Sequence, residues 1–401
     1  MSREVEAYNT YFGDCIILKD KDDDSNLLID FGTHCLSNFF GAYQKRDELE
    51  KKIAEDIYAR YKSQNISLLI THFHDDHISG LMYMYNNEKK FKNFFKNIYI
   101  ANIWNNKFAV ASNLLEELLL EKELKSCKLP RSIVTLFDLL DFISVNIVDV
   151  RLLSKGVTFE DNKYITLWPV VEDCEKKFLS IVQNLKLSTE FKDKLIELSE
   201  TICNYVTQEI DIGQDDRDIV EKTLSCKQKI ENMRMEYRVL ENRLLENKED
   251  FVNSQLAEEQ KMKLNKLNHK YNIVFQNCVD GNENILFTGD IEKSQMSKIE
   301  GAGDIKLYKK YKYIKIPHHG TESHYFDFGK YNPENVIITN GRVNINYSEA
   351  YRICKAYGNL DATFLCTNSN NCCNCEGSCR YATSKCSTRR KLVFNRLFRR
   401  I

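Results

Sequence analysis

The stretch that most constrains this chain is Thr71-His72-Phe73-His74-Asp75-Asp76-His77-Ile78-Ser79-Gly80, which directly follows the apolar run Ile66-Ser67-Leu68-Leu69-Ile70. The run reads as a buried strand that stops where the polar residues begin. Three imidazoles and two carboxylates within six residues suit neither an apolar core nor an ordinary solvated turn. Nitrogen and oxygen donors together suit zinc, or manganese and iron where oxygen dominates. In an extended segment His72 and His74 point the same way, because side chains alternate with period two. Asp76 and His77, just beyond, can turn toward a second ion. The pattern His-x-His-x-Asp-His thus reads as two half-sites meeting at a strand end.

Such half-sites need partners, and three later strands end on suitable groups. Asn284 to Phe287 runs into Thr288-Gly289-Asp290, and Tyr313 to Ile316 into Pro317-His318-His319-Gly320. Val336 to Ile338 runs into Thr339-Asn340-Gly341. This is the layout expected when one sheet edge carries the chemistry. His269 precedes the strand that leads to Asp290. His34 follows a strand closing on Gly32, where a surface histidine is the plain reading.

The rest of the composition narrows the class. Charged residues make up 29% of 401 and nearly cancel, for a net charge of −1, so no global basic excess points to nucleic acid. No apolar run is long enough to cross a bilayer, and residues 1–6 lack the apolar core of a signal peptide. The expectation is a soluble, cytoplasmic protein without a membrane partner.

Of 14 cysteines, seven lie between Cys354 and Cys386. In a reducing compartment these read as metal ligands before disulfides. Cys366, Cys372, Cys375 and Cys379 are candidates for a structural zinc, with Cys373 and Cys386 close by. The spacing lacks a pair of CxxC knuckles, so the ligand set stays open, as does a free-thiol or redox role. Arg389 to Arg400 form a basic tail, either solvated or in contact with phosphates.

Up to Val170, strands and helices alternate as in a layered α/β core. From Glu172 to about Leu267 glycine and proline nearly vanish. Ile219, Thr223, Cys226, Ile230, Met233, Tyr237, Leu240 and Leu244 form a heptad seam, and Phe191, Leu195, Leu198, Ile202 and Tyr205 repeat its steps upstream. With residues 211–216 as the turn, an antiparallel helical hairpin is expected, to serve as packing, as a gate over the site, or as a homodimer or partner arm.

His72, His74, Asp76 and His77 match the signature of the metallo-β-lactamase superfamily, which the chain resembles over residues 5–170 and 268–370. The resemblance implies an α/β fold of the αββα sandwich type, formed by residues 1–170 and 268–370. Residues 171–267 would then be the helical insertion, and 366–401 a cysteine-rich C-terminal element. Gly13-Asp14 and Asp30-x-Gly32 are similar to the family's opening hairpin, and Thr288-Gly289-Asp290 to the element whose carboxylate bridges two ions. Pro317 to Thr321 resembles the His-His-Gly-Ser variant of the competence-type DNA-uptake branch and of phosphorylcholine esterases.

By that resemblance His319 ligates the second ion, while His318 contacts substrate or acts as an acid. Asp76 orients the hydroxide as well as binding metal. His269 stands where several branches carry the last ligand of the first ion, although the competence-like branch often has Asn, as in Asn268. Asn344 to Glu349 lacks the histidine of a further competence-type element, which leaves the substrate open. The implied activity is that of a binuclear hydrolase using two divalent ions, zinc or manganese, on a phosphodiester of nucleic acid or a nucleotide. Ester, thioester or lactone hydrolysis is the alternative within the fold. A metal-stabilised sensor or assembly subunit is the non-enzymatic one, and the retention of every core ligand weighs against it.

Overall fold

A computed structural model describes residues 3–10, 12–23, 25–33, 43–126, 133–145, 149–170, 174–210, 219–246, 255–340 and 353–367. Two mixed sheets organise them. In the first, β1 (Arg3–Ala7), β2 (Ile16–Asp20), β3 (Ser25–Ile29), β4 (Asn65–Ile70), β5 (Asn97–Ala101) and β6 (Asp149–Leu153) lie side by side in chain order. The second holds β7 (Thr158–Phe159), β8 (Tyr164–Trp168), β9 (Val274–Asn277), β10 (Ile285–Phe287), β11 (Tyr311–Lys315), β12 (Pro333–Ile338) and β13 (Thr363–Cys366), again in order.

Each sheet follows the same plan. It opens with antiparallel strands, β1 to β3 and β7 to β10, and continues in parallel, β3 to β6 and β10 to β13. Tight polar turns suffice for antiparallel neighbours, whereas parallel ones need crossovers. Helices α1 (Tyr43–Tyr61), α2 (Asp75–Asn86), α3 (Glu88–Phe91), α4 (Lys107–Ser126) and α5 (Leu136–Val145) supply these in the first sheet.

Side-chain alternation shows how the sheets are covered. Along β10, Ile285 and Phe287 join the large core shared by both sheets, while Leu286 joins a second core. Val336 and Ile338 of β12 face that second core and Ile337 the first. The second sheet is therefore buried on both faces, one toward the first sheet and one toward a layer that includes α10 (Lys293–Gly301). This arrangement is an α/β one compatible with a sandwich.

β6 begins at Asp149 and its pairing with β5 carries it through Leu153; residues 146–148 lie outside the described residues. Leu153 is the strand's buried last residue.

The insertion between β8 and β9 also differs from expectation. Its described residues form four α-helices, α6 (Glu175–Asn184), α7 (Thr189–Tyr205), α8 (Ile219–Glu246) and α9 (Gln255–Asn268), where a two-helix hairpin is expected. α7 and α8 do run antiparallel, since Arg243 near the end of α8 pairs with Glu190 at the start of α7 at 2.8 Å. The seam from Cys226 to Leu244 is buried as its period requires. Yet α7 and α8 pack on α4 and α5 as well as on each other, and α9 packs on α4 and α6.

The cause lies in α4. Ala109, Val110, Ala111, Leu114, Leu115, Leu118 and Leu119 are all buried, so this helix is apolar around most of its circumference and needs cover on both sides. Tyr237 of α8 meets Phe137 of α5, and Arg234 pairs with Asp138 and Asp141. The insertion is a docked layer, not a projecting arm.

Among the described residues, no helix is long and apolar enough to cross a membrane. Cys366 ends β13 opposite Ile338 and is buried in the second core. Cys372, Cys375 and Cys379, with which it was expected to share a zinc, lie outside the described residues, as do His34 and residues 344–349.

Candidate metal centre

The sheet plan brings the chemistry to one edge. β3, β4, β10 and β11 end there, and the approach to β9 starts there, so Asp30, Thr71, Asp290, His318 and His269 arrive from separate segments. Locally, the His-x-His-x-Asp-His stretch spans the change from strand to helix. His72 follows β4 in extended chain, His74 is the N-cap of α2 with ψ 148, and Asp75 and Asp76 fill the helix's first turn. Carboxylates are favoured there by the partial positive charge of the helix start.

Two loops clamp that turn. Asp14 N–H donates to Asp76 O at 3.1 Å, and Phe31 N–H to His77 O at 2.8 Å. The approach is so close that a Cβ on Gly32 would lie 2.3 Å from the Asp76 carbonyl carbon, which is why the position takes glycine.

Two donor sets result. His72, His74 and His269 form one, and Asp76, His77, Asp290 and His319 the other; within each set the ligand atoms all lie within 4.8 Å of one another. Asp290 also groups with His269 and His318, so it stands between the sets. Asp76 Oδ2 and His319 Nε2 are 3.3 Å apart, as are His77 Nε2 and Asp290 Oδ2. All six expected core ligands and His269 are thus brought together. His269, whose role the sequence left open beside Asn268, takes the third imidazole position. Asn268 instead hydrogen-bonds Glu116.

Behind the donors sits a second ring of polar groups that faces His72, His74, His77 and His319. His77 Nδ1 meets Asp30 Oδ2 at 2.7 Å, and Asp30 also accepts from Thr71 N–H and Oγ1. Thr71 Oγ1 lies 3.1 Å from His72 Nδ1. Asp14 Oδ1 is 3.4 Å from His319 Nδ1, and Glu116 Oε2 of α4 is 3.4 Å from His74 Nε2.

Lys315, fully buried, places its Nζ 2.6 Å from Asp14 Oδ2 and 3.4 Å from Asp290 Oδ1. Sequence reading passed over Lys315 and Glu116. For Lys315 a signal existed, as a lone cation inside the apolar strand Tyr313 to Ile316; Glu116 carries none, being one more acidic residue on a helix.

The electrostatics separate the two sets. Burial, with neighbouring imidazoles adding to it, holds His72 and His269 well below the usual imidazole range, so both are neutral with lone pairs to offer. Burial also disfavours charge on His77 and His319, but Asp290 and the other carboxylates around them outweigh it. His77 ends well above its ordinary value and His319 at about 9. Asp290 is held well below the carboxylate range against its own burial by His77, Lys315 and His319. A dense negative field without an ion recruits protons, and a divalent cation is what replaces them. His269 Nδ1 is buried without a hydrogen-bond partner, an orphan that a cation would satisfy. The donors fit metal.

A cavity of about 1040 Å³ opens over both sets. α4 and α9 form one wall and the start of α10 another, with His318, His319 and His324 between them. His318 and His319 occupy left-handed backbone, φ 45° and 55°, ahead of Gly320 at φ 83°. The turn presents His319 to Asp14 and Asp76, and leaves His318 stacked on His324 at 4.0 Å with Nδ1 2.6 Å from Thr321 Oγ1. No family model matches the chain, and no curated protein matches it either.

Proposed function

We propose that the chain is a binuclear metal-dependent hydrolase of the metallo-β-lactamase kind, cleaving a phosphodiester in nucleic acid or a nucleotide. The observation that carries the reading is the pair of donor sets with Asp290 between them, at the floor of one cavity. His72, His74 and His269 would hold one ion and Asp76, His77, Asp290 and His319 the other. Two divalent ions, zinc or manganese, would supply an activated water and screen the charge that develops on phosphorus.

The chain's own groups do the rest. Asp76, the least buried member of its donor set, orients the attacking water from the cavity side. Thr321 Oγ1 fixes the His318 ring through Nδ1, which leaves Nε2, 3.9 Å from Asp290 Oδ2, to contact the substrate beside the donor sets. Lysines on the cavity wall suit an anionic substrate over a neutral ester.

The test is turnover by purified protein with manganese or zinc on single-stranded DNA, duplex DNA, RNA and bis(p-nitrophenyl) phosphate. Cleavage of one or more, lost in Asp290→Ala, is expected, together with about two bound ions per chain. No turnover on any of the four would end the phosphodiesterase reading.

A further inference from the structure

We infer that the substrate carries a second phosphate beside the scissile one, bound between the docked insertion and α10 by Lys266, Lys293 and His324. The inference rests on the phosphodiesterase reading for its scissile group but on separate residues for its own. His324 is 7% exposed, lines the cavity, and has a buried Nε2 with no hydrogen-bond partner. Its Nδ1 lies 2.8 Å from Ser323 Oγ. A hydroxyl donating to Nδ1 leaves the ring hydrogen on Nε2, a donor in need of an acceptor. Leaving such a group unmet is costly, and a substrate oxygen would remove that cost.

Two cations stand on the same cavity. Lys266 comes from α9, close enough for its charge to act on His324, and Lys293 is the first residue of α10. Neither has a salt-bridge partner among the described residues, although both are exposed. The carboxylates on the wall formed by α4 and α9, which also carries Lys266, each have a partner. Glu116 faces His74 and Asn268, Glu117 accepts from Leu136 N–H, and Glu258 pairs with Lys261. Glu292 next to Lys293 is one negative charge against two positive, so this corner favours an anion. The insertion thereby becomes a specificity element, since Lys266 belongs to it.

Calorimetric titration of the full-length protein with thymidine 3′,5′-bisphosphate and thymidine 5′-monophosphate tests this, because neither ligand holds a phosphodiester that turnover could consume. The bisphosphate is expected to bind about tenfold more tightly, the effect of one or two charge-assisted hydrogen bonds. Lys266→Glu and Lys293→Glu should each erase most of that preference. Lys263→Glu, on α9 but off the cavity, should keep it. Equal binding of the two ligands by the wild type overturns the inference, as does a preference that survives both charge reversals. A protein that prefers the bisphosphate but cleaves none of the four phosphodiesters keeps the subsite and loses the hydrolase reading, so the two failures are distinguishable.

Discussion

The two donor sets sit side by side yet solve opposite electrostatic problems. The imidazole set, His72, His74 and His269, contains two rings stripped of protons by burial. The carboxylate set, Asp76, His77, Asp290 and His319, holds its rings protonated inside a cage of negative charge. Two of the three rings in one set carry no charge, and the other set is internally neutralised. The same residue type is thus prepared for metal by desolvation in one place and by counter-charges in the other. Loading should follow different rules in each.

Removing the shared member should do most damage. Asp290→Ala takes a ligand from the carboxylate set and the link between the sets, and kcat/KM should fall by about a thousandfold or more. Metal analysis should show fewer than two ions. Retention of both ions would mean that the sets are independent.

Next in size is the buried lysine. Lys315→Met leaves Asp14 and Asp290 without their compensating cation, and uncompensated buried charge costs about 3–5 kcal/mol. Thermal unfolding of the metal-free protein should show the loss, and added metal should recover much of it. An unchanged midpoint would show that Lys315 balances nothing.

The comparison itself is sharpest in pH. His319, at about 9, and His77, also held well above its ordinary value, must each give up a proton to bind metal, so affinity at the carboxylate set rises with pH up to at least about 9. In the imidazole set only His74 is raised: Glu116 and its other carboxylate neighbours outweigh burial there. The expected slopes are roughly tenfold per pH unit for each proton displaced, two protons against one. Calorimetry in buffers of different ionisation heat counts them, and equal release from both sets would erase the distinction. The smallest effect belongs to Glu116→Gln, which loosens the orientation of His74. It should weaken metal at the imidazole set by about tenfold and spare the carboxylate set.

Much of this centre was legible in the sequence because its ligands are chemically conspicuous and lie at strand ends. His72, His74, Asp76 and His77 are contiguous, and Asp290 and His319 each follow an apolar run. The strands were legible for the same reason, since alternation and polar stops are local properties. Asp14, Asp30 and Glu116 were not visible as supports, because their roles depend on loops and a helix packed in three dimensions against the ligands. The insertion misled in a related way. Its heptad period correctly marked the buried face of α8, but a period cannot say what buries it. Here α4 and α5 compete with the partner helix for the same stripe.

The left-handed turn at His318 and His319 has a further consequence. Side chains other than glycine, asparagine and aspartate resist that conformation, at a cost of about 1–3 kcal/mol per residue. The fold thus tolerates two histidines where its backbone alone would favour smaller or amide residues. His318→Asn and His319→Gly should relax the metal-free backbone even as each removes a working ring. At this corner a sturdier protein and a competent one ask for different amino acids.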